Sequence, residues 1–163
     1  MALNAYLKLK GQNQGEIKGS VVKKGKEKRI EVIAVNHQIT TPRDSRSGLV
    51  SGKRAHQPFI ITKPIDKPTP LLYSALANNE MITEFDLQFW TAQNLPKTTT
   101  GTEYQHYTIK LTNAFISEIK FTMPNNNLPE LATLPEYEEI SFVYKKIEWI
   151  WNDGAVTATD TTS

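Results

Sequence analysis

Apolar and polar residues alternate along much of this chain with a period of two. The clearest example is Phe85, Leu87 and Phe89, which alternate with Asp86 and Gln88. Successive side chains of a β-strand point to opposite faces, so this pattern is typical of a strand with one buried face. The same alternation, or an enrichment in β-branched and aromatic residues, predicts further strands over residues 3–9, 107–111, 115–121 and 140–151.

Two segments depart from this alternation. Residues 30–40 are rich in β-branched residues and are apolar on both faces through Val32–Val35, which predicts one strand enclosed between two packed layers. One helix is also predicted: Thr69 can cap it, Pro70 suits its first position, and the Asn-Asn pair at 78–79 can end it. The residues expected on its buried face are Leu72, Ala75 and Leu76.

These patterns together predict a mostly-β fold. Two packed antiparallel sheets, or a β-barrel, would be flanked by one short α-helix and would carry a long extended loop. A length of 163 residues suits one domain with a buried core. We expect this domain over residues 1–154, followed by a frayed, flexible tail over the Thr-rich residues 155–163. A shorter loop is predicted at residues 98–101.

The long loop spans residues 41–56. A connection of this length inside a compact β domain is usually functional or mobile. Its charged residues are Arg43, Asp44, Arg46, Lys53 and Arg54.

Composition narrows the function classes. The chain contains no cysteine, which excludes disulfides, a thiol nucleophile and cysteine-ligated metal sites. The net charge of +2 is too small to indicate nucleic acid or an anionic membrane as a partner. We expect no secretory signal peptide and no membrane span, because no window has the apolar length that either requires.

No arrangement of residues predicts catalysis, a metal site or a cofactor. His37, His56 and His106 are scattered without the spacing of a metal-ligand pair. We expect His37 to be a hydrogen-bonded structural residue. Trp149 and Trp151 share one face of the last predicted strand, where core packing is expected and a ligand-stacking platform is the alternative.

Two clusters of charge remain. The basic cluster predicts a solvated hairpin tip around Gly25, with an electrostatic contact to a partner subunit or an anion as the alternative. It consists of Lys23, Lys24, Lys26, Lys28 and Arg29. The acidic cluster is expected to be solvated, or to pair with a basic patch on a neighbouring copy. It consists of Glu136, Glu138 and Glu139.

Short motifs follow one another over nearly the whole chain in a specific order. The densest stretch contains Ser47-Gly48, Gly52, Arg54, His56, Pro58-Phe59, Thr62-Lys63, Asp66-Lys67, Thr69-Pro70, Leu72-Tyr73 and Ala75. Further along come Gly101, Glu103, Tyr107, Leu111, Asn113-Ala114, and finally Ile140, Phe142, Tyr144, Ile147, Trp149, Trp151 and Asp153-Gly154. In this combination the chain resembles the haemolysin-coregulated protein family, which forms the inner tube of bacterial type VI secretion systems.

The resemblance implies a structural subunit without enzymatic activity. Six copies would close into a ring, rings would stack into a tube inside a contractile sheath, and small effectors would travel in the lumen. The implied partners are further copies of the chain, the sheath, spike and baseplate proteins, and small effectors, without nucleic acid or direct membrane insertion. Assembly is expected in the bacterial cytoplasm, followed by export without a cleavable signal.

Within that picture, candidate site residues can be assigned. The charged loop would join stacked rings, and its charged residues would form ion pairs with Glu136, Glu138 and Glu139 of the next ring. Asn36 and Gln38 alternate with less polar neighbours and are the candidate lumen-facing residues.

Three other functions fit single features of the sequence. A monomeric or dimeric β-sandwich module could stack a ligand on Trp149 or Trp151. An enzyme could use His37 or His56 with a carboxylate, although no motif organises them. A nucleic-acid binder could use the basic residues at 23–29.

Overall fold

The computed structural model describes residues 2–92 and 103–162, and the predicted loop at residues 98–101 lies outside these ranges. Within them the chain forms thirteen strands and one helix. The strands before the helix are β1 (Ala5–Gly11), β2 (Gly15–Ile17), β3 (Ile30–Val32), β4 (Ala34–Asn36), β5 (Ile39–Thr40), β6 (Ala55–His56) and β7 (Phe59–Pro64). The helix α1 (Thr69–Ala77) is followed by β8 (Ile82–Thr91), β9 (Tyr104–Thr112), β10 (Phe115–Thr122), β11 (Tyr137–Val143), β12 (Lys146–Trp151) and β13 (Val156–Thr161).

The strands form two main antiparallel sheets and one short ribbon. The larger sheet has the order β13-β12-β9-β8-β1-β2, and β3 pairs with β1 beside this path. The smaller sheet has the order β10-β11-β7-β4, while β5 and β6 form a separate two-stranded ribbon. The predicted mostly-β fold, with packed antiparallel sheets and one short helix, is confirmed.

A hydrophobic core lies between the two sheets. On the larger sheet, Leu7 of β1 pairs with Leu87 of β8, and both are buried. Three phenylalanines then join the sheets: the ring of Phe85 lies 5.5 Å from that of Phe59 and 5.0 Å from that of Phe142, in edge-to-face arrangements. Such geometry adds to the burial of apolar surface, because the positive edge of one ring meets the negative face of another.

Residues 30–40 do not form the single strand that the sequence predicts. β3 belongs to the larger sheet, β4 to the smaller sheet, and β5 to the ribbon. The change of sheet occurs at Ile33, whose backbone N–H donates to the carbonyl of Thr62 over 2.8 Å. The prediction is wrong because a segment that is apolar on both faces also fits a crossing from one layer to the next.

The helix begins differently from the prediction. Its N-cap is Pro68, which makes no side-chain capping bond. The hydroxyl of Thr69 instead lies 3.2 Å from the carboxylate of Glu138 and 3.3 Å from the ammonium of Lys63. The predicted Thr69 cap is therefore wrong, because a buried ion pair takes its hydroxyl. The predicted stop is confirmed, since Asn79 follows the helix with a left-handed φ of 51°.

The C-terminal residues form a strand where the sequence predicts a frayed tail. β13 pairs with β12 along its whole length, with Val156 opposite Trp151. Gly154, at a φ of 82°, lies in the turn that reverses the chain, so the predicted boundary at residue 154 falls inside a β-hairpin. The tail prediction is wrong for β13 because most of this strand is exposed and lacks apolar alternation, although its threonines favour extended backbone.

Candidate functional site

The segment predicted as a long loop, residues 41–56, extends away from the two sheets. Every residue from 42 to 55 is exposed. At its base β5 pairs with β6, and nearer the tip an isolated antiparallel bridge joins Arg43 to Val50. The segment is thus an extended hairpin, and residues 39–56 are named the charged hairpin below.

The tip of the charged hairpin is a defined turn built around Asp44. Its Oδ1 accepts hydrogen bonds of 2.8 Å from the backbone N–H groups of Ser47 and Arg46. These two bonds lower the pKa of the Asp44 carboxyl. Gly48 follows with a φ of 72°, a left-handed conformation that glycine adopts without a steric cost.

The charged hairpin carries four cations and one anion, a formal net charge of 4 − 1 = +3. All five charged residues are exposed, namely Arg43, Asp44, Arg46, Lys53 and Arg54. Between them, Leu49 and Val50 are 69% and 59% exposed. Exposed apolar side chains with surrounding cations suit contact with a surface of another protein that is partly apolar and partly acidic.

The base of the charged hairpin is fixed to β13 by one carboxylate. Arg54 makes a bidentate pair with Asp160, with Nε 2.6 Å from Oδ2 and Nη2 2.7 Å from Oδ1. His56 Nε2 lies 2.8 Å from the same Oδ2. Burial opposes ionisation of Asp160, but the hydrogen bonds from His56 and Arg54 outweigh it and lower the pKa of this carboxyl.

A tyrosine extends these contacts into the protein. Tyr144 Oη lies 2.7 Å from His37 Nε2 and 2.8 Å from His56 Nδ1. Burial, together with the charge of Asp160, raises the pKa of Tyr144 to about 12, so its hydroxyl keeps its hydrogen. The predicted hydrogen bonding of His37 is confirmed. The connected set Arg54, Asp160, His56, Tyr144 and His37 is named the base relay.

Comparison with known proteins places this arrangement in a family. The family model described as type VI secretion system effector, Hcp, matches residues 6–151. The chain belongs to the Hcp family. The major exported protein of Pseudomonas aeruginosa is 33% identical to this Hcp chain over 169 residues, covering 98% of the chain and 95% of the relative.

Solved Hcp structures agree with this family assignment. A crystal structure of an Hcp protein matches with a TM-score of 0.86 at 29% identity, covering 97% of this chain and 96% of the other. The secreted protein Hcp3 of Pseudomonas aeruginosa matches with a TM-score of 0.78 at 27% identity, covering 100% of this chain and 99% of the other. The resemblance seen in the sequence is thereby confirmed.

Family membership makes this Hcp chain a secreted, structural component of the type VI secretion tube. The matched residues 6–151 include the charged hairpin and Tyr144. Asp160, which holds the base of the hairpin, lies on β13 after the matched range ends.

The acidic residues expected to meet the charged hairpin do not form one surface in this Hcp chain. Glu138 is fully buried, with Oε1 2.7 Å from Nζ of the equally buried Lys63. Lys63 Nζ also lies 2.7 Å from Asp66 Oδ1. Glu136 is exposed and Glu139 is half-buried. The expectation of a solvated Glu138 is wrong because β11 turns this residue to its core face, where Lys63 compensates its charge.

The basic cluster is not a fully solvated tip either. Lys26 is buried, pairs with the carboxylate of Glu103, and lies 4.3 Å from the ring of Trp90 and 4.7 Å from that of Tyr6. Lys23 Nζ lies 2.7 Å from the same carboxylate. Hydrogen bonds from Lys23 and Lys26 lower the pKa of Glu103 despite its burial. The prediction is wrong for Lys26 because an anion and two aromatic rings replace its hydration.

The remaining candidate residues lie near their predicted positions. Asn36 and Gln38 are exposed and the intervening His37 is half-buried, in line with the predicted alternation. Trp149 packs against the core, as predicted. Trp151, at the end of the same strand, is 45% exposed, so the expected core packing is wrong for this residue.

The described ranges, 2–92 and 103–162, contain no cluster of three His, Asp or Glu residues placed to hold a metal ion. No helix in them has the length and apolar character needed to cross a membrane.

Proposed function

We propose that this Hcp chain is the repeating unit of the inner tube, in which six copies close into a ring and rings stack through the charged hairpin. The observation that supports stacking is the hairpin itself. It is an ordered element with a net charge of +3, exposed from residue 42 to residue 55, and it carries two exposed apolar residues near its tip. These side chains are available to a second copy, because every residue from 42 to 55 is exposed.

Ring closure requires a heterologous contact, in which two different surfaces of the protomer meet. Each main sheet offers open edges for this purpose, since β13 and β2 end the larger sheet and β10 and β4 end the smaller one. On the β10 edge, Phe121 is exposed, as is Met123 just beyond the strand. A strand edge with exposed apolar residues is a template for contact with another chain. We therefore assign the β10 edge to the ring interface.

Stacking would use a different set of residues. Arg43 and Arg46 at the tip are proposed to meet acidic side chains of the next ring, with Glu136 and Glu139 as the accessible candidates. An exposed ion pair contributes about 0–1 kcal/mol, so a single hairpin contact is weak. Six such contacts at one ring junction act together through avidity, and salt would weaken all of them.

The lumen of the ring is the proposed carrier of small effectors. Asn36 and Gln38, exposed near the end of β4, are the candidate lumen residues. The proposed tube-subunit domain comprises residues 1–154 extended by β13. Its further proposed partners are the sheath, spike and baseplate proteins, with assembly in the bacterial cytoplasm followed by export.

Native mass spectrometry with negative-stain imaging of the same sample tests the proposal. We expect a mass equal to six chains and ring-shaped particles. Phe121→Asp should shift the mass distribution towards single protomers, because it places a charge in the proposed ring contact. Val22→Asp is the control, since Val22 is an exposed apolar residue away from β10, and it should leave rings intact. A chain that stays monomeric over a wide concentration range contradicts the proposal.

A further inference from the structure

The base relay brings together four stretches of chain that are distant in sequence. His37 lies between β4 and β5, His56 ends β6, Tyr144 follows β11, and Asp160 lies on β13. We propose that the base relay is a proton-operated latch, which holds the charged hairpin in one orientation while both histidines are neutral and releases it when they become charged. The latch belongs to the single protomer, so it does not depend on the ring or the tube proposed above.

The direction of each hydrogen bond follows from Asp160. As a carboxylate it can only accept, so Nε2 of His56 carries a hydrogen and donates it. Neutral His56 then accepts the hydroxyl hydrogen of Tyr144 at Nδ1, and the Tyr144 oxygen accepts from Nε2 of His37. Each hydrogen in the relay therefore has one donor and one acceptor while both histidines are neutral.

A second proton on both histidines at once does not fit this arrangement. On His56 it would occupy Nδ1 and face the Tyr144 hydroxyl, whose own hydrogen would have to turn away. On His37 it would place a positive charge on a half-buried ring that packs 5.1 Å from the ring of Phe59. Two charged histidines would also repel each other across the single hydroxyl that they share. With both histidines charged, the Tyr144 oxygen therefore faces two donors and its own hydrogen has no acceptor, which destabilises the relay.

The charges around His56 act in opposite directions. Asp160 places a negative charge against His56, whereas Arg54 and Lys53 place positive charges in the walls of an adjoining pocket of about 420 Å³. Tyr144 and His37 are the other titratable groups that contact His56 directly or through one hydrogen bond, and Tyr144 stays protonated. Lys53, an exposed residue, borders this pocket, so water and protons reach the relay there.

The lowered pKa of His37 supports a latch that is closed at neutral pH and opens in acid. Burial, followed by the charge of His56, lowers the pKa of His37, so this ring is neutral at neutral pH. An ordinary histidine titrates near pH ~6.5. The latch should therefore be closed above this value and should open as the pH falls below it.

Pulsed electron paramagnetic resonance of a doubly spin-labelled protein measures the hairpin orientation directly. The chain has no cysteine, so Leu49→Cys at the hairpin tip and Glu118→Cys on β10 can be labelled without background. Diluting the labelled protein into an excess of unlabelled chain leaves one labelled copy in any assembly. The distance distribution should be narrow at about pH 8 and at least about twofold broader at about pH 5.5, on either side of the histidine titration.

Variants of the relay separate the latch from other effects of acid. Tyr144→Phe removes the shared hydroxyl and Asp160→Asn removes the anion, so each should give the broad distribution already at about pH 8. Lys67→Gln, which removes an exposed positive charge away from the base relay, should keep the wild-type response. A label pair at Glu118→Cys and Thr83→Cys, both on sheet strands, should keep its distance at either pH.

Two results would overturn the inference. One is an unchanged tip distance in the wild type at both pH values. The other is a pH response that is the same in Tyr144→Phe and Asp160→Asn as in the wild type, or that appears equally in the label pair on the sheets.

Discussion

Asp160 Oδ2 lies 2.8 Å from His56 Nε2, although the two residues are 104 positions apart in the sequence. This contact joins the last strand of the larger sheet to the base of the charged hairpin. Substitutions at the tip and at the base should therefore have different effects. Tip substitutions change what the hairpin binds, whereas base substitutions change how the hairpin is held.

Charge reversal at the tip should leave rings intact and abolish their stacking. Arg43→Glu combined with Arg46→Glu changes the formal charge of the hairpin from +3 to 3 − 4 = −1. Both residues are exposed, so the two sheets should be unaffected. Native mass spectrometry should still show rings, while negative-stain imaging should show few or no tubes.

The matched control is Lys18→Glu combined with Lys67→Glu. These exposed lysines lie outside the hairpin, and the change in total charge is the same. The control should stack as the wild type does. Tubes of normal length in the tip variant would remove the stacking role of the hairpin.

Folding stability should fall with acidity in the histidine range because of His37. Burial and the charge of His56 lower the pKa of this residue in the folded protein, so the unfolded chain binds its proton at higher pH. Between the two pKa values the unfolded state binds more protons, and the free energy of unfolding therefore rises with pH. The contribution should be complete above about pH 6.5 and lost progressively as the pH falls below it.

Urea unfolding measured at several pH values tests this dependence. His37→Asn should show a flatter dependence of the unfolding free energy on pH than the wild type over the same range. His106→Asn is the control, since His106 lies outside the base relay, and it should follow the wild type. Equal slopes for the wild type and His37→Asn would show that another group titrates.

Removing the buried cation should be costly. Lys63→Met leaves Glu138 and Asp66 without the ammonium that lies 2.7 Å from each. Breaking a buried ion pair from one side costs about 3–5 kcal/mol. The exposed Lys67→Met should change stability by less than about 0.5 kcal/mol in the same urea experiment.

The double variant Lys63→Met, Glu138→Leu tests the cause of that loss. It removes the unpaired carboxylate, so it should recover a large part of the stability lost in Lys63→Met. If the double variant were as unstable as the single one, the loss would come from packing around Lys63 and not from the uncompensated charge.

Gly19 occupies a position where no side chain fits. An added Cβ would lie 1.9 Å from the carbonyl oxygen of Arg29, and the backbone there is held by a 2.8 Å bond from Gly19 N–H to the carbonyl of Lys28. Gly19→Ala should therefore lower the free energy of unfolding by about 1–3 kcal/mol or more. In Gly52→Ala the added Cβ would meet only the Pro42 side chain, at 3.4 Å, so this control should stay near the wild type. Equal melting temperatures for the two variants would contradict this reading of Gly19.

The alternation of apolar and polar residues predicted those strands that have one buried face and one exposed face. The segment around Phe85–Phe89 is the clearest case, since it lies within the observed β8. A different signal, the apolar run within residues 30–40, failed, because a run that is apolar on both faces fits an enclosed strand and a crossing between layers equally well. The hydrogen bond between Ile33 and Thr62 marks the crossing between the layers, and these two residues are distant in sequence.

Buried charge is the part of the structure that the sequence did not reveal. Lys63 and Glu138 are 75 positions apart, and no local pattern indicates that they meet inside the protein. The candidate site was predicted in part, because the length and charge density of residues 41–56 marked the hairpin. Tyr144 and Asp160 were missed as its support, since Asp160 lies in a Thr-rich segment without apolar alternation.

The path of the chain through residues 30–40 also has a mechanical consequence. Three short strands place this segment in both sheets and in the ribbon, and the last of them, β5, begins the charged hairpin. On its other side the hairpin leads into β7, an inner strand of the smaller sheet. A pulling force on the tip would therefore be shared by the backbone hydrogen bonds of several strand pairs. Even if the contacts of the base relay were broken, the hairpin would stay connected to both sheets of the protomer.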